Sequence, residues 1–127
     1  MIQIRQAEAK DTSAISKLYR QLVDPVAPDT PIDVKEDRIL EILANPSNFL
    51  FVLEASDKVY GTAFLTLCLD PMYRSQSYAI LENFVIDERQ QGKGYGTVLM
   101  RYLEKFCHQL DCSKIMLLSN SKRSEAH

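Results

Sequence analysis

The stretch Gln91-Gly92-Lys93-Gly94-Tyr95-Gly96 sets three of the chain's 4 glycines at alternate positions. Apolar residues at helical spacing follow at once, from Tyr95 through Val98, Leu99, Tyr102, Leu103 and Phe106 to Leu110, and Ser77 to Ile86 before it reads as a strand. A strand, a glycine turn and a helix make an anion site, because the first helical turn carries unpaired N–H groups and the positive end of the helix dipole. Glycine is needed where backbone must approach a pyrophosphate or take positive φ, both of which a Cβ opposes. A phosphate is the expected ligand. A magnesium-nucleotide loop would need Ser or Thr directly after Gly-Lys, whereas Lys93 is followed by Gly94. A dinucleotide loop would place its third glycine one position later, where Thr97 stands, early in the chain and with an acid about 20 residues on. What remains is Q/R-x-x-G-x-G/A, matched at every specified position.

Two other groups of residues could do chemistry. Glu82 is the only acid in the apolar strand SYAILENFVI. Cys107, His108, Asp111 and Cys112 lie close together, but Cys107 continues the helical stripe and zinc ligands normally come from two separated clusters, so no metal is expected. Three cysteines with no CxxC pair fit reduced thiols in the cytosol.

The elements that must position these residues can be read along the chain. Ile2 and Ile4 alternate with polar residues as in a short strand. Asp11 or Thr12 can cap a helix carrying Ile15, Leu18, Tyr19, Leu22 and Val23, which Asp24-Pro25 ends. Residues 26–31 read as an irregular loop, Asp33 and Glu36 as the capping pair of a second helix, and Asn45-Pro46 as its stop. Phe49 to Glu54, Val59 to Leu69 and Ser77 to Ile86 form three consecutive strands, an antiparallel meander with a loop at 70–76. Ser113 to Leu118 supplies a last strand, and SNSKRSEAH begins a further helix. The order β-α-α-β-β-β-α-β-(α) predicts one mixed α/β (α+β) domain over 1–127, with helices packed on a sheet.

Composition narrows the function classes. With 46% hydrophobic and 25% charged residues, 127 residues suffice for one soluble core. A net charge of -2, from 15 Lys+Arg and 17 Asp+Glu, disfavours nucleic acid and anionic membranes as partners. The longest apolar run, Ala63 to Leu69, is too short to span a bilayer and is broken by Thr66. The start MIQIRQAEAKD lacks a signal-peptide core, so a cytoplasmic location is expected.

The hexapeptide Gln91 to Gly96 after the strand ENFVID resembles motif A of the GNAT superfamily of N-acetyltransferases, which bind acetyl-coenzyme A. The N-terminal IRQAEAKD, the meander, the strand after the glycine helix and the closing LLSNSKRSEAH are also similar to that family, in the right order across the whole chain. The resemblance implies a mostly antiparallel sheet whose strands 77–86 and 113–118 splay apart around the cofactor. It implies that the backbone of Phe84, Val85 and Ile86 pairs with the pantetheine arm as an added strand would, and that Gln91, Gly92, Lys93, Gly94, Tyr95, Gly96 and Thr97 cradle the pyrophosphate. Asn120 matches a position whose side chain bonds the pantetheine.

Acetyl transfer needs a neutral amine, and a lysine-like amine has a pKa of about 10.4. Glu82 is the candidate base: the family often uses a glutamate on this strand, and burial between Ile80 and Phe84 on one strand face would suit it to that work. The Val85 N–H could polarise the thioester carbonyl. The expected activity is acetyl transfer from acetyl-CoA to a primary amine of a small molecule or peptide, by direct attack in a ternary complex. The family usually continues past a segment like NSKRSEAH into a helix with a thiolate-protonating tyrosine and then a hairpin, whereas here the chain stops at His127. Two expectations follow from that departure: a homodimer, with strand exchange as one form of it, and, as the alternative function, a non-catalytic coenzyme A-binding or interaction module. Tyr73 and Tyr78 are conceivable stand-ins for the tyrosine, and Asp24, Asp29, Asp33 and Asp70 would suit a cationic amine.

Overall fold

The structure is a computed structural model and describes residues 1–73 and 75–118. Five strands form one sheet in chain order: β1 (Ile2–Gln6), β2 (Asn48–Ala55), β3 (Lys58–Leu69), β4 (Ser77–Ile86) and β5 (Ile115–Leu117). The first four are antiparallel, and β4 and β5 are parallel. A parallel pair needs a crossover, which α3 (Tyr95–Gln109) provides. The helices α1 (Thr12–Val23) and α2 (Glu36–Ala44) come between β1 and β2. This is the mixed, mostly antiparallel sheet with flanking helices that the sequence predicts; the helix expected over SNSKRSEAH lies outside the described residues.

Strand alternation sends Phe51 and Leu53 to one side of β2 and Leu50 and Val52 to the other. The first pair packs with Leu65, Leu81 and the α3 residues Leu99, Leu103 and Cys107. The second packs with Ile15 of α1 and Ile39 of α2. With both faces covered, β2 reads as the unbroken apolar run FLFVL. Each fully buried leucine contributes about 1.5–3 kcal/mol. The Phe106 ring stands edge-on to Phe49 and Phe51, with centroids at 4.9 and 5.1 Å. Burial, with Cys112 beside it, pushes the Cys107 thiol up to about 12, so this cysteine acts as an apolar core group.

One irregularity changes what β4 presents. Thr62 faces Val85 and Phe64 faces Glu82, so Ala63 alone lies opposite two residues, Asn83 and Phe84. Asn83 has φ 52, a left-handed conformation that asparagine tolerates better than most residues with a Cβ. The extra residue is a β-bulge. Phe84 and Ile86 consequently pack toward α3, whereas Glu82 stays beside Phe64 on the side of α1 and α2. The sequence expectation that Glu82 shares a face with Phe84 is therefore corrected: simple alternation fails across an inserted residue.

Both expected helix caps are also revised. Asp11 is the N-cap of α1, but its carboxylate accepts from Arg5 at 2.8 and 3.0 Å and from the Glu8 N–H at 2.7 Å. Helix α2 starts after Lys35 with no side-chain cap, because Asp33 pairs with the Lys35 ammonium instead. Burial works against the charged form of Asp11, yet the Arg5 guanidinium and the Glu8 N–H outweigh it and hold the carboxyl below its ordinary 3.8. Helix α3 is entered through Gly92 at φ 85 and Gly94, its N-cap, at φ 80. A Cβ on either would meet nothing within 4 Å. Gly96 is already helical, and a Cβ there would stand 3.7 Å from Ile86 Cγ1, an ordinary contact.

The three glycines should therefore respond differently to alanine. Gly94→Ala places a Cβ in the left-handed region and should destabilise the fold by about 1–2 kcal/mol; Gly96→Ala gains helix propensity worth up to about 1 kcal/mol and should be neutral or stabilising. Equal losses for the two variants in urea melts would contradict this. The stability from Asp11 is complete above 3.8, the unfolded value, and is lost as the pH falls through the lower folded value. Asp11→Asn should cost roughly 2 kcal/mol at pH 7 and flatten the loss of stability as the pH falls below 3.8, which acid titration of the melting temperature would detect.

Candidate active site

The path from β4 to α3 is held by buried polar contacts. Asp87 is 6% exposed and accepts from the Arg89 N–H at 3.0 Å, capping a short 3-10 turn, Glu88–Gln90. Burial disfavours the Asp87 carboxylate, but the Arg89 N–H and guanidinium and the Gln21 amide more than offset this and keep it below its ordinary value. Gln21 of α1 donates to Asp87 Oδ1 at 3.3 Å and accepts from the Glu88 N–H at 2.9 Å. The Tyr95 ring, at the start of α3, stacks on Tyr60 of β3 with centroids 6.2 Å apart.

Past this turn the backbone donors are free. Among the described residues, the first N–H of the α3 entrance to find a carbonyl is that of Val98, which bonds Gly94 O at 3.1 Å. The N–H groups of 92–97 have no described partner. They border a cleft of about 560 Å³ whose walls are Gln21 and Leu22 of α1, residues 84–86 of β4, and the turn residues 91, 92 and 94–97. The structure thus gathers ten of the twelve site residues expected from sequence around β4 and its turn: nine line the cleft and Glu82 sits just before them. Lys93 is not among the lining residues; its ammonium bonds Gln90 Oε1 at 2.6 Å. Asn120 lies outside the described residues.

The described pairing of the sheet ends at the same place. β5 pairs with Ala79, Ile80 and Leu81, and the last described bond between the strands runs from the Leu118 N–H to Leu81 O at 2.9 Å. Beyond Leu81, β4 continues through the bulge without a neighbour on that side among the described residues. Its edge there is a row of backbone donors and acceptors of the kind an extended chain can match.

Glu82 is half-buried, and among the described residues it forms no ion pair with an Arg or Lys. Beside it lies Tyr19 of α1, which packs against the buried cluster that contains Ile15, Ile39, Leu50 and Val52. Burial raises the Tyr19 phenol above its ordinary value; the Asn83 side chain lowers it by hydrogen bonding, and the Glu82 carboxylate adds to the rise. In sequence Tyr19 is one more residue of an apolar stripe, with no mark of this position. Gln21 was equally hidden, since its partners lie 66 and 67 residues away. The loop acids are largely engaged: Asp24 with Arg20, Asp33 with Lys35, and Asp70 with the Met72 N–H and the Ser113 hydroxyl. Tyr78 faces Cys68 at the far end of β4, and neither it nor Tyr73 lines the cleft.

Such an arrangement, with N–H groups at a helix start that have no described partner, a strand that runs on past its described pairing and a half-buried carboxylate, can bind a phosphate with an extended arm and present that arm's end near a base. Comparison with known proteins agrees in kind. The model of the "Acetyltransferase (GNAT) family" matches residues 12–126. No curated protein matched. Among solved structures, a GNAT family acetyltransferase of Staphylococcus aureus is 24% identical with TM-score 0.72, covering 94% of this chain and 87% of its own. Glucosamine-6-phosphate N-acetyltransferase of Arabidopsis thaliana is 20% identical with TM-score 0.75, covering 99% and 87%. An aminoglycoside acetyltransferase from an uncultured soil metagenomic sample, in complex with sisomicin, is 14% identical with TM-score 0.76, covering 98% and 82%. At these identities the structures share the fold, and the match over 12–126 gives the family: the chain belongs to the GNAT acetyltransferases.

Proposed function

We propose that the chain moves the acetyl group of acetyl-coenzyme A to a primary amine of a small molecule or peptide, by direct attack while both substrates are bound. The observation that carries this reading is the bulge at Asn83, which turns Glu82 toward α1 and α2 and leaves residues 84–86 along the cleft. The amine side and the coenzyme side of one strand are thereby separated by a single residue.

The residues present fit the coenzyme. The pyrophosphate sits in the turn from Gln91 to Thr97 and meets the N–H groups of 92–97, and the open space beside Gly92 and Gly94 gives it room. The pantetheine arm runs along residues 84–86 as an added strand, and Asn120 lends its side chain further on. A backbone N–H of that stretch, at Val85 in the simplest assignment, polarises the thioester carbonyl. Glu82 takes a proton as the amine nitrogen attacks; the N–C bond forms, the C–S bond breaks and coenzyme A leaves as the thiol after protonation. The absence of a described cation beside Glu82 suits this role, since an ion pair would hold the carboxylate back from a proton. Amine acceptors are also what the Arabidopsis enzyme and the sisomicin complex have in their names.

Thermal shift with coenzyme A, followed by thiol release over a panel of amines, tests the reading. Saturating coenzyme at about 100 times its dissociation constant should stabilise the fold by about 2.7 kcal/mol. Glu82→Gln should lower kcat by about 10²–10⁴ near neutral pH and leave coenzyme A affinity unchanged. A variant with full turnover would remove Glu82 from the mechanism, and a wild-type chain that binds no coenzyme A would end the proposal.

A further inference from the structure

Gln21 has geometry that the proposed chemistry does not use. Its side-chain amide spends both of its functions on the segment between β4 and the glycine turn: the NH₂ donates to Asp87 Oδ1 and the oxygen accepts from the Glu88 N–H. It also stands between two cavities. One is the coenzyme cleft, and the other is a groove of about 580 Å³ between the start of α1, the β2–β3 hairpin and the same turn. Gln21 borders both, so one side chain is the partition between them.

Few other contacts could do this work. The segment 87–94 is built of a buried aspartate, a single 3-10 turn and two glycines with positive φ, and glycine backbone is the least restricted of all. Asp87 N–H bonds Tyr60 O at 2.8 Å and so anchors the segment to β3. The Tyr60–Tyr95 stack anchors its far end. Between those points the described links to another element are the two bonds to Gln21.

We infer that Gln21 is a positioning residue for coenzyme binding: from α1, it clamps the turn at 87–88 so that the N–H groups of 92–97 converge on the pyrophosphate. This rests on the coenzyme reading above, but the clamp itself does not. A turn that is ordered before the ligand arrives loses less conformational freedom on binding, and preorganisation appears as affinity. The same clamp ties coenzyme binding to the seat of α1, the helix that also carries Tyr19 beside Glu82.

The test uses the full chain, with coenzyme A as the probe. Gln21→Leu keeps much of the side-chain volume and removes both bonds. Calorimetry should show its dissociation constant for coenzyme A about tenfold above wild type, the value of about 1.4 kcal/mol. Amide hydrogen exchange without ligand should accelerate over 88–91, whose N–H groups are bonded, and stay unchanged in the core strands. Gln21→Glu offers an acceptor to the Glu88 N–H at all pH values but can donate to Asp87 only when protonated. Its surroundings hold Lys17 on α1, Asp57 and Lys58 on the hairpin, and Asp87, Glu88 and Arg89 on the turn. The Asp87 carboxylate, within hydrogen-bond distance of this position, disfavours the charged form, so its affinity relative to wild type should recover as the pH is lowered from neutrality toward the carboxylate range. A Gln21→Leu chain that binds coenzyme A within twofold of wild type, or exchange that quickens throughout the fold, overturns the clamp. If the wild-type chain fails to bind coenzyme A, the functional proposal falls and the exchange of 88–91 alone decides whether Gln21 holds the turn.

Discussion

The left-handed conformation of one residue, Asn83, decides what the rest of this structure can do. Without it, β4 would alternate regularly from Ser77 to Ile86, and Glu82, Phe84 and Ile86 would point the same way. Either the carboxylate would enter the α3 core or the two apolar side chains would leave it, and both outcomes cost several kcal/mol. The bulge avoids the conflict at a cost of about 1–2 kcal/mol for positive φ. Buried neighbours on both sides, Leu81 and Val85, hold the strand in register across the irregularity. The bulge also falls just past the last described bond to β5, so the strand changes face where its described pairing on that side ends.

Helix α1 is the second constraint. Ile15 and Leu18 are buried against the sheet, and its first turn is tied to β1 by the two bonds between Arg5 and Asp11. From that fixed seat it sends Tyr19 toward the bulge and Gln21 toward the turn. These residues are two apart and so point in different directions from the helix. One helix therefore contacts both the Glu82 side of β4 and the cleft beside residues 84–86. This is why α1, which supplies only two residues to the cleft wall, bears on the whole site.

What could be read from sequence divides along the range of the interactions involved. The glycine turn was legible because positive φ and a helix start are local demands, written in adjacent residues. The element order was legible for the same reason, since each helix carries its own apolar stripe and stop signals. The orientation of Glu82 was not, because a bulge depends on the partner strand, and nothing within SYAILENFVI marks Asn83 as the inserted residue. The caps failed differently. Asp11 and Asp33 have the right type and spacing, but the cations Arg5 and Lys35 outbid the helix N–H groups for them, as charge-assisted bonds generally do. Gln21 was illegible for the simplest reason: its partners lie across the fold.

The charge of the cleft explains why composition said so little about the ligand. The described lining includes no lysine or arginine, and its one charged side chain is the acid Glu88. Lys93, the cation nearest the turn in sequence, is bonded to Gln90. Among the described residues, attraction for an anion here would come from backbone N–H groups and the dipole of α3, which count for nothing in a net charge of -2. Such donors have fixed directions and, unlike a lysine on its flexible stem, cannot swing to follow a ligand. They are effective only when the turn that carries them is held in place, and in this chain the holding falls to side chains on α1 and β3 that never touch the anion.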